Sequence, residues 1–291
     1  VHIAKIDKKW HERSTCSKAW RLTSLVHGYK KIIFTYDVKL TSLYYAFSFF
    51  PPYMGKKEII FITLLIDLAE FTSVTRSGFK NTIKYWFYYL FVRIPEKIVV
   101  HTREEIKLYA EIFKLDSKKK FYFIPHCFAY HMPDKHDFKS HPIYGNIEYI
   151  ICPGNHRDID TFIHAIQMLP NMTGIVIGGE GDRPKWEHEK INNVEFKFNI
   201  PYAEYRQFIA NAKLLVFPVS KAGPLRSLGQ ITVFHAVIFG VPVLSVDTFH
   251  LEDYFSRDEI WYYKPGNAKS LADTIKLVLT NKTLTKLKVQ R

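Results

Sequence analysis

Residues 223–244 read GPLRSLGQITVFHAVIFGVPVL, from Gly223 to Leu244. The stretch divides into a loop, a helix from about Leu228 to Phe239, a stop at Gly240 and a buried strand from Val241. A glycine-spaced loop feeding a helix N-terminus turns free backbone N–H groups and the positive end of the helix dipole toward one point. That makes it a ready anion site.

The pattern continues outward on both sides. Upstream, Ile147–Cys152, Gly174–Ile177, Val194–Phe198 and Leu214–Val219 read as strands, and Asp158–Met168 and Tyr202–Ala212 as helices. Downstream, Ile260–Tyr263 and Lys269–Leu279 close the series. Short β-branched runs alternating with amphipathic stretches of helical length predict βαβ units and a parallel sheet. Ligands of such sheets sit at the carboxyl ends of the strands. The N-terminal half repeats the theme less cleanly. Its strand candidates are His2–Ile6, Lys31–Thr35, Glu58–Leu64, Lys97–His101 and Phe121–Ile124. Its helix candidates are Cys16–Val26, Leu40–Phe49, Phe79–Val92 and Arg103–Phe113. The stretch Tyr130–Gly145, with two prolines and several charges, reads as a linker, which places the domains at 1–142 and 143–291.

Apolar residues make up 47% of the 291, enough for two cores. Cys16, Cys127 and Cys152 are scattered with no CxxC pair. This excludes a disulfide framework and a zinc ribbon, and it fits a reducing compartment. No segment has the roughly 18 apolar residues of a membrane span, and VHIAKIDKKWHERS has no signal-peptide core. A cytoplasmic location is expected. A start at Val1 reads as a processed chain or one missing its true start. Charge is uneven: residues 1–145 hold 24 Lys and Arg against 13 Asp and Glu, residues 146–291 hold 17 against 15. The basic half fits an anionic membrane surface, an acidic glycan or nucleic acid. No helix-turn-helix, zinc or RRM signature accompanies it, so nucleic acid is not expected.

Four blocks, in order, carry a resemblance: KIVVHTREEIKLYAEIFKLDSKKKFYFIPHCF at 97–128, CPGNHRDIDTFIHAIQMLP at 152–170, IVIGGEGD at 175–182, and the 223–244 stretch with the TFHLEDYF and YKPGNAKSLADTI endings. Together they resemble the retaining "glycosyl transferases group 1" family of GT-B glycosyltransferases. The resemblance covers roughly residues 95–280. It implies an α/β fold of two Rossmann-like domains with parallel sheets facing across a cleft. The N-terminal domain would take the acceptor and the C-terminal domain a nucleotide sugar. It implies transfer of a hexose from a nucleotide-diphosphate sugar to a glycan or lipid-linked acceptor, with retention, and no metal or other cofactor. A degenerate member that binds nucleotide or glycan without catalysis is the alternative.

Such transfer leaves negative charge on the departing diphosphate, which fixed donors must stabilise. In the family a basic pair from the first C-domain loop and the following helix does this. Here the loop is Gly154-Asn155-His156-Arg157-Asp158, with Asn155 in place of the usual arginine and Arg157 near the usual lysine. The planar fork of Arg157 suits two phosphate oxygens; pairing with Asp158 or Asp160 is its structural alternative. Arg226, Ser227, Leu228, Gly229 and Gln230 form the second candidate anion loop. A glycine in a helix's first turn costs stability, so Gly229 implies either a close backbone approach or a plain cap. The family keeps two glutamates eight positions apart in this block, where this chain has Ser227 and His235. It is similar to a branch with a GQ loop in place of the first glutamate. Ser227 could bond a sugar hydroxyl and His235 a ribose, or His235 could be a core histidine. Gly178 and Gly179 of GGEGD permit a tight turn against the donor, with Asp182 as a cap for the next helix.

Acceptor-side chemistry is placed by position alone. Asp37 ends KIIFTYD, Asp67 and Glu70 follow IIFITLLI, and His101 ends the next strand. Asp37 and Asp67 are the candidate bases, and a helix cap is the plain role of Asp67. The run Tyr85–Phe91, with Lys80, Lys84 and Arg93, reads as an amphipathic, membrane-facing helix or a core helix, and Phe49–Tyr53 as a second aromatic candidate.

Overall fold

The computed structural model describes residues 31–35, 58–62, 89, 92–93, 95–125, 148–155, 157–186, 188, 190–219, 229–247 and 251–290. The chain separates into two compact units, Val1–Pro125 and His126–Arg291. The linker expected at Tyr130–Gly145 lies outside the described residues, as do Cys16, Cys127 and the strand and helices expected before residue 31 and between 36 and 57. So does nearly all of the aromatic run Tyr85–Phe91.

In the first unit, β1 (Lys31–Thr35), β2 (Glu58–Ile62), β3 (Lys97–Val100) and β4 (Phe121–Phe123) form a parallel sheet in that order. Helix α1 (Arg103–Phe113) follows β3, and the short α2 (Ser117–Lys120) precedes β4. A reciprocal cap starts α1: Thr102 Oγ1 accepts from Glu105 N, and Glu105 Oε2 accepts from Thr102 N, each at 3.2 Å. Two orphan N–H groups are thereby satisfied. Tyr109 and Phe113 are buried, and Tyr109 meets Phe121 of β4 at 6.2 Å between rings. One apolar face of α1 thus packs on the sheet.

The second unit holds a six-stranded parallel sheet of β5 (Tyr149–Pro153), β6 (Thr173–Gly178), β7 (Val194–Phe198), β8 (Leu214–Phe217), β9 (Val243–Val246) and β10 (Trp261–Tyr263). Its order is β10-β9-β8-β5-β6-β7. Helices α3 (Ile159–Gln167), the single-turn α4 (Arg183–Trp186), α5 (Tyr202–Ala210), α6 (Gln230–Phe239), α7 (Ala268–Thr280) and α8 (Lys282–Gln290) complete it. α3 packs with α7, and α5 packs with α6. Strands covered on both faces read as unbroken apolar runs, and every residue of β5, β8 and β9 is buried. Successive strands run outward from β5 to β7, then restart at β8 on the other side of β5. The strand order therefore reverses between the parallel neighbours β5 and β8, and the crevice lies at the carboxyl ends of those two strands.

Element boundaries shift by a few residues from the sequence expectations, each for a local reason. Helix α6 starts at Gln230 and not at Leu228, because Gly229 is its cap in a left-handed conformation. Strand β9 begins at Val243 and not Val241, after Pro242, whose missing N–H cannot join a ladder. Asp158 and Met168 are the caps of α3 and not its first and last turns. Helices α2, α4 and α8 were not expected; α2 and α4 are one turn each, too short to show a period. Among the described residues, no helix is long and apolar enough to cross a membrane.

Candidate functional site

Three strand ends converge on the loop after β5. Gly154 N donates to Ile177 O of β6 at 2.8 Å, and Asp158 N donates to Pro218 O beyond β8 at 2.8 Å. The loop 154–158 is thus tied across the point where the strand order reverses. Asp158 caps α3: its carboxylate accepts from Thr161 N at 3.2 Å and from Thr161 Oγ1 at 2.7 Å. Asp160 pairs with Lys185 at 2.8 Å. Both carboxylates considered as structural partners of Arg157 are therefore engaged elsewhere.

Arg157 immediately precedes the α3 cap, and its side chain turns back over the strand ends. Its Nε donates to Pro153 O at 3.1 Å, and its guanidinium lies 4.3 Å from the centre of the Phe217 ring at the end of β8. Two glycines make room for it. Gly154 has φ +103°, and a Cβ there would stand 2.8 Å from Arg157 Nη2; Gly229 has φ +82°, and a Cβ there would overlap the same nitrogen. Both positions need a left-handed backbone and a bare Cα, which glycine alone supplies without strain. Among the described residues, the buried Arg157 Nη1 has no hydrogen-bond partner. Burial lowers the Arg157 pKa; Tyr205 opposes this most, ahead of Cys152 and Asp182. An arginine stays protonated under such pressure. The result is a fixed cation with an unfilled donor, beside the N-terminus of α6 and its dipole.

The GGEGD turn lies on the neighbouring strand end. Asp182 Oδ2 accepts from Gly179 N at 3.1 Å, so Asp182, the residue just before the one-turn α4, closes the turn. A Cβ at Gly179 would stand 2.6 Å from Asn155 Oδ1. The bare glycine thus receives the exposed Asn155 side chain and joins the two loops. Gly154, Asn155, Arg157, Gly178, Gly179, Gly229 and Gln230 are brought to one edge of the sheet. Gln230 is buried in the first turn of α6.

His235 is placed differently. It is fully buried, and its Nε2 lies 2.8 Å from Tyr202 Oη, within an aromatic group of Tyr202 and Phe239. This is the core-histidine environment, and its bond runs to α5. Arg226, Ser227, Leu228, Asp37, Asp67 and Glu70 lie outside the described residues. His101 is buried, its Nδ1 is bonded to Ile124 O at 2.8 Å, and burial lowers its pKa. It ties β3 to the end of β4.

Sequence reasoning missed Phe217, the floor under Arg157, and Tyr205. Tyr205 Oη lies 2.8 Å from Thr232 Oγ1, and burial raises its pKa. A cavity of about 530 Å³ opens beside edge strand β7, between Arg183, Trp186, Lys190 and Phe198. It shares no lining residue with the Arg157 loop. Its rings are already stacked on one another: Trp186 on Phe196 at 5.6 Å and Phe196 on Phe198 at 6.3 Å.

The fold matches solved glycosyltransferases of the GT-B class. A sucrose-phosphate synthase from Thermosynechococcus elongatus superposes with a TM-score of 0.68 at 15% identity, over 99% of this chain and 74% of that one. A glycosyltransferase from Rickettsia africae ESF-5 gives 0.65 at 12% identity, over 100% and 77%. HepE of Anabaena, in complex with UDP and glucose, gives 0.70 at 15% identity, over 93% and 74%. No curated protein matches the chain in sequence. The family model for glycosyl transferases group 1 matches residues 134–290, more than half of the chain and nearly all of its second unit. The chain belongs to the glycosyl transferases group 1 family.

Proposed function

We propose that this chain transfers a hexose, with retention, from a nucleotide-diphosphate sugar to a glycan or lipid-linked acceptor. The observation that carries the reading is Arg157. Its buried guanidinium nitrogen, without a hydrogen-bond partner among the described residues, sits at the strand reversal, beside a glycine-capped helix N-terminus. In this reading the diphosphate bridges Arg157 and the first N–H groups of α6. As the C–O bond to the donor breaks, the growing charge on the phosphate oxygens meets donors already fixed in place by Pro153, Phe217 and Gly229. Asn155 and the Gly178–Gly179 turn flank the sugar, and Arg226 to Leu228 complete the phosphate loop. The cation is the protein's own, so the leaving group needs no metal. Anabaena HepE, of similar fold, has been crystallised with UDP-glucose, which supports a nucleotide sugar as donor. Asp37 and Asp67 remain the proposed acceptor-side bases, and the basic first half the surface that meets an anionic membrane.

Turnover of UDP- and GDP-hexoses, followed as nucleotide release with and without acceptor, tests this. The wild type releases nucleoside diphosphate in the presence of EDTA, and Arg157→Ala slows this by roughly 10²–10³. Wild-type rates in a folded Arg157→Ala protein would refute the role.

One observation favours the binding-only alternative. His235 stands where the family keeps a glutamate, and its Nε2 is committed to Tyr202 inside the core. Tight nucleotide binding with no hydrolysis and no transfer would decide for it.

A further inference from the structure

We propose that Tyr205 is a positioning residue: through Thr232 it holds the first turn of α6, and with it Gly229, against the Arg157 guanidinium. The inference rests on the reading of Arg157 as the diphosphate clamp.

The chain of contacts is short and continuous. Tyr205 Oη and Thr232 Oγ1 are 2.8 Å apart. Thr232 N donates to Gly229 O at 3.0 Å, which fixes the cap residue to the turn that Tyr205 holds. Gly229 in turn fits around Arg157 Nη2 with no room for a Cβ. A shift of α6 along or about its axis would therefore change the gap between its free N–H groups and the guanidinium. Both donors must sit at fixed spacing to meet one diphosphate, and small displacements of such groups are costly in rate.

The helix cap itself gives α6 little hold. Gly229 has no side chain, and among the described residues no side-chain bond caps the helix. Isolated helices of this length are marginal, so tertiary contacts must fix the terminus. The contacts come from α5. Tyr202 and Tyr205 lie one turn apart with rings stacked at 6.3 Å and 14°. Their hydroxyls reach His235 and Thr232, which are one turn apart on α6. Two parallel rungs thus join the helices, and the Tyr205 rung is the one at the phosphate end. Tyr205 is also the group that most opposes the effect of burial on Arg157, which places its hydroxyl within electrostatic reach of the guanidinium.

The test compares nucleoside diphosphate with monophosphate. A residue acting through the diphosphate clamp should affect UDP or GDP far more than UMP or GMP; a residue that merely stabilises the unit should affect both alike. Binding of the four nucleotides is measured by calorimetry to the full chain, for wild type, Tyr205→Phe, Thr232→Val and Thr232→Ser. Expected for Tyr205→Phe and Thr232→Val is a roughly fivefold to tenfold weaker diphosphate affinity, the size of one hydrogen bond, with monophosphate affinity within about twofold. Thr232→Ser keeps the hydroxyl and should retain wild-type diphosphate affinity. In an Arg157→Ala background, Tyr205→Phe should cost diphosphate nothing further. Equal losses for mono- and diphosphate, no loss at all, or full additivity with Arg157→Ala would overturn the inference. A wild type that binds none of the four overturns the clamp reading itself, and the inference with it.

Discussion

Gly229 and Arg157 are fitted to one another: at φ +82° the bare Cα of Gly229 faces Arg157 Nη2, and a Cβ would overlap that nitrogen and stand 2.7 Å from Phe217 Cε2. Gly229→Ala therefore has two costs. The left-handed backbone alone costs about 1–2 kcal/mol for an L side chain, and the guanidinium or the α6 cap must move. Denaturant unfolding should show the loss of stability, and calorimetry should show loss of nucleoside diphosphate binding. A variant with unchanged midpoint and unchanged binding would contradict the fit.

Arg157→Lys is the sharper companion to Arg157→Ala. Lysine keeps the charge but loses the planar face on Phe217 and the fork. Nucleotide release should fall by roughly tenfold to a hundredfold, between wild type and alanine. Equal rates for lysine and arginine would mean that charge alone is used.

Asn193, just before β7, braces the connection from α3 to β6. Its Nδ2 donates to Ile166 O at 2.7 Å and to Leu169 O and Met172 O at 3.2 Å, so one amide gathers carbonyls from the last turn of α3 to the start of β6. Asn193→Ala leaves those carbonyls without that donor and should cost about 1–3 kcal/mol in unfolding free energy. An unchanged unfolding free energy would show that water replaces the amide without loss.

Cys152, in β5 beneath the Arg157 loop, is fully buried, and burial pushes its thiol up to about 12 against an ordinary 9.0. The folded state thus holds this proton where the unfolded chain releases it. Its contribution to stability is complete below about pH 9 and is lost as pH rises toward 12, with a slope of at most about 1.4 kcal/mol per pH unit. Cys152→Ala should remove this part of the alkaline decline. Identical pH–stability curves for the two proteins would contradict it.

The parallel α/β alternation of the second unit and the glycines and arginine of the candidate anion loops, Gly154, Arg157 and Gly229, were legible because each has a local signature; the strand order was not. Apolar runs mark covered strands, and a glycine before a helix marks a cap or a close approach. Arg157 was legible as a basic residue just ahead of α3. Its setting was not, because Phe217 is the last residue of an apolar strand and nothing local distinguishes it from core. Tyr205 and Thr232 read as ordinary helix positions, since periodicity tells which face is buried but not which hydroxyls meet across two helices. Asn193 lies just before β7 and carries no local signal in the sequence, yet its amide serves a helix in a different βα unit. His235 shows the opposite limit: both of its readings were open in the sequence, and only the partner Tyr202 separates them.

The most direct test of the central claim is a crystal structure of the full chain soaked with UDP- and GDP-hexoses. The account predicts a diphosphate oxygen within hydrogen-bonding distance of Arg157 Nη1 and of the first backbone N–H groups of α6. A nucleotide bound with its diphosphate away from Arg157 would contradict it.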